Sequence, residues 1–109
     1  MEYKQVVTSF LQRGRFILLL RRSDDVGTYQ GKWGAVSGFL DENEDPYERA
    51  KLEINEETAL TSKNLRLIRS GELLRVYDKE KDTVWIVHPF LFTTHESAIS
   101  TIRSMEPVT

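Results

Sequence analysis

The chain has 109 residues, 39% of them apolar and 29% charged, with a net charge of −2. That is ordinary soluble globular composition, sufficient for one domain with a modest core, and its near-neutral charge gives no reason to expect nucleic acid or a membrane surface as partner. Cysteine is absent, which excludes disulfides and thiolate metal sites. No stretch approaches the ~18 apolar residues of a membrane span, and Met1-Glu2-Tyr3-Lys4 does not open a signal peptide, so a cytoplasmic location is the default expectation.

In chain order, Val6 to Leu11 and Phe16 to Leu20 read as strands joined by a hairpin at Gln12-Arg13-Gly14-Arg15. Asp24 to Gly31 is a polar, glycine-containing loop, and Trp33 to Ser37 a short strand leading into Gly38. Asp45, Pro46 and Glu48 then form a helix-start signal of N-cap, first-turn proline and acidic third position. The helix runs to about Thr58, with Tyr47, Ala50 and Ile54 as its core face. Beyond it, Leu65 to Ile68 and Glu72 to Tyr77 read as strands, Asp78 to Asp82 as a charged turn, and Val84 to Phe92 as a long apolar strand. Residues 94–109 carry weak helical patterning. Strands flanking one strong helix imply a sheet with helices packed on it.

The functional signal lies in residues 38–60. Residues 41–57 hold eight of the seventeen Asp and Glu, against Arg49 and Lys51 alone, so this segment is net −6. At roughly 100° per residue, Glu53, Glu56 and Glu57 share an arc of about 100° on the helix. Carboxylates this close raise one another's pKa, and a bound cation reverses that effect. Oxygen donors of this kind suit Mg²⁺ or Mn²⁺ rather than zinc. A solvated acidic helix face is the alternative, but no Lys or Arg interrupts residues 53–57.

Gly38, Glu44, Glu53, Ile54, Glu56, Glu57 and Leu60 match the Nudix box, G-x5-E-x7-R-E-U-x-E-E-x-G-U with U apolar, at seven of nine fixed positions. The chain therefore resembles the Nudix hydrolase family over about residues 4–93. Two positions depart: Leu52 stands where the pattern has Arg, and Ala59 where it has Gly. The resemblance implies an α/β fold, an α/β/α sandwich with a mixed sheet, and residues 1–109 forming one such domain. Nudix domains usually continue past a strand like Val84–Phe92 into a further strand and a closing helix, so the short tail implies a trimmed fold or a piece of a longer protein. Leu20-Arg21-Arg22-Ser23-Asp24, Gly27-Thr28-Tyr29 and Trp85 to Phe92 are similar to Nudix domains attached to translation initiation factor 2B-like domains.

The implied reaction is metal-dependent hydrolysis of the diphosphate bridge in a nucleoside diphosphate linked to another moiety, a small-molecule partner; homodimers are common in the family. The resemblance makes Glu56 and Glu57 metal ligands, with Glu53 a ligand or general base and the Gly38 carbonyl a further ligand; Glu53 and Glu57 are the catalytic candidates. Glu44 is either a water-mediated ligand or a solvated loop residue. Glu72 and Glu96 are outside candidates for the base, more simply read as surface charge. For substrate binding, Arg22 suits a phosphate as well as it suits a plain surface position. Tyr29 is the better candidate to stack on a base, because Trp33 fits the core. His88 reads as structural, and His95 carries no signal.

Leu52 removes a residue that orients a box glutamate in the family. Arg49, four residues before Glu53, is placed to return part of that charge. Ala59 would pay for a left-handed cap unless the helix runs on past it. A nucleotide- or sugar-phosphate-binding module without efficient turnover, regulating an attached domain, is therefore the alternative expectation.

Overall fold

The computed structural model describes residues 1–21, 33–94 and 105–108. Their strands are β1 (Glu2–Arg13), β2 (Phe16–Arg21), β3 (Trp33–Gly34), β4 (Val36–Phe39), β5 (Leu65–Ser70), β6 (Leu74–Asp78), β7 (Thr83–Thr94) and β8 (Met105–Val108). Between β4 and β5 lie the helix α1 (Pro46–Thr58) and a single 3₁₀ turn at Ser62–Asn64.

The strands form one mixed sheet, as expected for a Nudix-like α/β fold. Its centre is a long parallel pairing of β1 with β7, from Glu2 against Thr83 to Gln12 against Thr93. Along its other edge, β1 pairs antiparallel with β4 and then with β2. The far side of β7 is shared by β5 and β6, both antiparallel. Pro89 lies between the stretches of β7 that pair with β5 and β6, where its missing N–H costs no ladder bond on that side. The Pro89 carbonyl accepts the Gly71 N–H at 2.9 Å.

Alternation sorts the sheet into two faces. Val7, Ser9 and Leu11 of β1 are paired with His88, Phe90 and Phe92 of β7, and Val36 of β4 joins them on this face. Helix α1 presses Ala50, Ile54 and Thr58 onto it, closing a core of Val7, Leu11, Val36, Ala50, Ile54, Leu60, Phe90 and Phe92. Tyr47 packs at its margin, its ring 6.0 Å from that of Phe92 and 6.3 Å from that of Phe90. Burial of this apolar surface fixes the helix on the sheet, and with it everything the helix displays on its outer side.

Several boundaries differ from the sequence expectations. The first strand begins at Glu2, because the parallel partner β7 supplies a ladder for polar residues that show no apolar alternation. Lys4 covers two rings there, 5.9 Å from Phe39 and 5.7 Å from Trp85. The strand expected at Trp33 to Ser37 is two strands with different partners, β3 on β2 and β4 on β1, so Gly38 sits within a strand rather than after one. The sixth strand starts at Leu74, two residues later than expected. In the tail, residues 105–108 pair antiparallel with β2 as a strand instead of continuing a helical pattern.

Helix α1 starts as expected: the Asp45 side chain accepts the Glu48 N–H at 3.0 Å, and Pro46 opens the first turn. It does not run on past Ala59, which takes the left-handed conformation at φ 66° and donates its N–H to the Asn55 carbonyl at 2.8 Å. Thr58 below it is buried and satisfied, donating to the Ile54 carbonyl and accepting from the Leu60 N–H. A Cβ in that conformation is unfavourable, so Ala59→Gly is expected to stabilise the fold by about 1 kcal/mol. A thermal melt checks it; a lowered midpoint would show that the cap is not strained.

Candidate active site

Helix α1 carries the acidic side chains on the part of its surface that leaves the core. Glu53 follows one turn after Arg49, and Glu56 and Glu57 complete the stripe. Both Glu56 and Glu57 are exposed, whereas the Glu53 side chain keeps 14% of its surface.

What shelters Glu53 is Gly38 on β4. A Cβ at Gly38 would fall inside the Glu53 carboxyl group, so the absent side chain is the space in which that carboxylate lies. The structure thus brings together Gly38 and Glu53, fifteen positions apart in sequence. Burial pushes the Glu53 carboxyl above its ordinary range, and the charges of Glu56 and, more weakly, Glu57 push the same way. The hydrogen bond and charge of Arg49 act against them.

Arg49 is tied at both ends. Its Nη1 donates to Glu53 Oε1 at 3.2 Å, the i,i+4 pair expected from sequence. Its Nε and Nη2 reach Glu44 Oε2 at 2.8 and 2.6 Å. The other Glu44 oxygen accepts the Asp41 N–H at 2.8 Å. With each oxygen engaged, Glu44 clasps the loop to the helix; the Arg49 hydrogen bond above all, then that of Asp41, holds its carboxyl below the ordinary range. This contact was not among the sequence expectations. Its signal was the same Arg49 that pairs with Glu53, read in the N-terminal as well as the C-terminal direction.

Leu52, at the box arginine position, is 44% exposed. Glu72 is exposed between β5 and β6. His88 Nε2 lies 2.8 Å from Gln5 Oε1, and burial lowers its pKa. Arg22, Tyr29, His95 and Glu96 lie outside the described residues.

Among the described residues, no group of three or more His, Asp or Glu side chains is drawn together to hold a metal ion. The donor set nevertheless fits a hard divalent cation. It consists of oxygen donors, and the repulsion of Glu53 by Glu56 and Glu57 is what a cation relieves. Mg²⁺ keeps several waters and takes one or two protein carboxylates plus substrate oxygens, so a closed protein cage is not required.

The NUDIX domain profile matches residues 3–106, and the chain belongs to the Nudix family. Comparison with curated protein sequences gives no match. Among solved structures, the chain is similar to the Ap4A hydrolase of C. elegans, with a TM-score of 0.75 and 18% identity over 98% of this chain and 80% of that one. It is also similar to the MutT protein of Methanosarcina mazei Go1, with a TM-score of 0.64 and 26% identity over 83% of this chain and 62% of that one. The NrtR protein of Shewanella oneidensis complexed with a 27mer DNA gives a TM-score of 0.67 and 18% identity, over 94% of this chain and 49% of that one. The chain thus spans less than two thirds of the MutT and NrtR chains. No helix among the described residues is long and apolar enough to cross a membrane.

Proposed function

We propose that the chain is a Nudix-type diphosphohydrolase that uses Mg²⁺ or Mn²⁺ to cleave the diphosphate bridge of a nucleoside diphosphate linked to another moiety. The observation that carries this reading is Glu53. A charged side chain is held in a sheltered cradle over Gly38, beside two exposed carboxylates, at a cost in desolvation and repulsion that the fold alone does not require. Strain of this kind is what a site for a cation and an anionic substrate needs. The name of one structural relative, the Ap4A hydrolase of C. elegans, agrees with it.

In this reading Glu53, Glu56 and Glu57 hold the cation, with the Gly38 carbonyl as a further oxygen. The bound cation neutralises charge on the diphosphate and lowers the pKa of water. Glu53 and Glu57 are the residues in contact with the reacting groups, and the sheltered position of Glu53 suits it to take the proton of the attacking water. Arg22 and Tyr29 are proposed to contact the phosphate and the base of the substrate.

Leu52 favours a second reading, in which the domain binds a nucleotide or sugar phosphate without efficient turnover and regulates an attached domain, such as a translation initiation factor 2B-like one. A DNA-bound relative shows the same fold in a protein of a different kind. Both readings are tested by incubating the protein with a panel of nucleoside diphosphate derivatives and Mg²⁺ or Mn²⁺, with Glu57→Gln as control. Phosphate-containing products above the control support the hydrolase. Saturable nucleotide binding with product at the control level selects the binding module instead.

A further inference from the structure

We propose that Arg49 is the positioning residue of this site and does from one turn earlier on the helix what the box pattern assigns to an arginine at position 52. The geometry is a chain of contacts. The Asp41 N–H binds Glu44, Glu44 takes two guanidinium nitrogens of Arg49, and Arg49 Nη1 holds Glu53 over Gly38. A planar guanidinium suits this task, because its fork presents donors in two directions at once. It couples the acidic loop before the helix to the carboxylate that projects from the helix. Leu52 offers no donor, and its exposure shows that the leucine has not been drawn inward to fill a core position.

The two positions are related by the helix itself. Residues 49 and 52 are three apart and therefore neighbours on the helix surface. In this chain the cation stands at position 49, paired with Glu44 and Glu53. Arg49 acts through Glu53 and touches no reacting atom.

This inference rests on the hydrolase reading, and the experiment separates the two. Steady-state kinetics with saturating Mg²⁺ would compare wild type, Arg49→Ala and Arg49→Ala/Leu52→Arg, alongside amide hydrogen exchange at Asp41. Loss of positioning is expected to lower kcat of Arg49→Ala by on the order of 10²-fold with KM changed less than about twofold. Asp41 exchange should quicken, and Leu52→Arg should restore most of both. Wild-type kcat in Arg49→Ala, or a double variant no better than the single one while still folded, would overturn the proposal. Should wild type turn over no substrate, the hydrolase reading fails by itself. The clasp is then decided by Asp41: quickened exchange that Leu52→Arg restores sustains it, and unchanged exchange overturns it.

Discussion

Glu53→Gln is expected to lower metal-dependent turnover by on the order of 10²–10³-fold while leaving the metal-free protein at least as stable as wild type at neutral pH. The two effects have one cause. Burial, and then the charges of Glu56 and Glu57, outweigh the help of Arg49, so the folded state raises the Glu53 pKa above its unfolded value. A group shifted in this direction contributes stability that is fully present below its unfolded pKa of roughly 4.3 and is lost as pH rises through the folded value. At neutral pH the ionised carboxylate is therefore a liability to the fold. Glutamine keeps the shape and can still accept the Arg49 hydrogen bond, but it carries no charge. Melts in the presence of a chelator, from neutral pH down to pH 4, should show wild type gaining on the variant as the pH falls. A melting point for Glu53→Gln well below wild type at neutral pH would mean that Glu53 serves the fold, and the functional assignment would lose its main support.

Gly38→Ala is the second large effect. The glycine is required for space, since its added Cβ would occupy the position of the Glu53 carboxyl. The obstructed group is the far end of a flexible side chain, so the fold can yield by turning Glu53 outward, and alanine itself is acceptable in a strand. The melting point should therefore change by only a few degrees. Turnover should fall by on the order of 10²-fold, because Glu53 would no longer lie where the geometry now holds it. Kinetics beside a melt separate the outcomes. Full activity in Gly38→Ala would show that the cradle over Gly38 plays no part in the reaction, whereas loss of both activity and folding would assign the glycine to the fold.

The helix was legible in the sequence because its signals are local. Asp45, Pro46 and Glu48 act within one turn, and Tyr47, Ala50 and Ile54 recur at the helical period. The carboxylate stripe at Glu53, Glu56 and Glu57 follows from the same period. The sheet was less legible. Its central pairing joins residues some eighty positions apart, and Glu2 to Gln5 have no apolar alternation to announce a strand. The split of residues 33–39 into two strands depends on which neighbour each half meets. Ala59 was readable as a cap problem, but only the backbone shows that the helix stops there at a positive φ.

At the site, the Arg49–Glu53 pair follows from i,i+4 spacing, whereas the Glu44 contact depends on the fold of the loop. Asn43 takes φ 70° there, and the chain turns back so that Glu44 meets both Asp41 and Arg49. The approach of Glu53 to Gly38 is tertiary and has no sequence period. The box pattern pointed to both residues without showing that one lies in the space the other leaves empty.

The central claim is that the acidic face of α1 drives metal-dependent hydrolysis. The most direct measurement is product release from the nucleoside diphosphate panel as Mg²⁺ is titrated into chelated protein, with wild type beside Glu56→Gln/Glu57→Gln. Wild-type release is expected to rise from the chelated baseline to a plateau on at least one substrate, while the double variant stays at baseline. Release that is independent of Mg²⁺ and Mn²⁺, or undiminished in the double variant, would contradict the account.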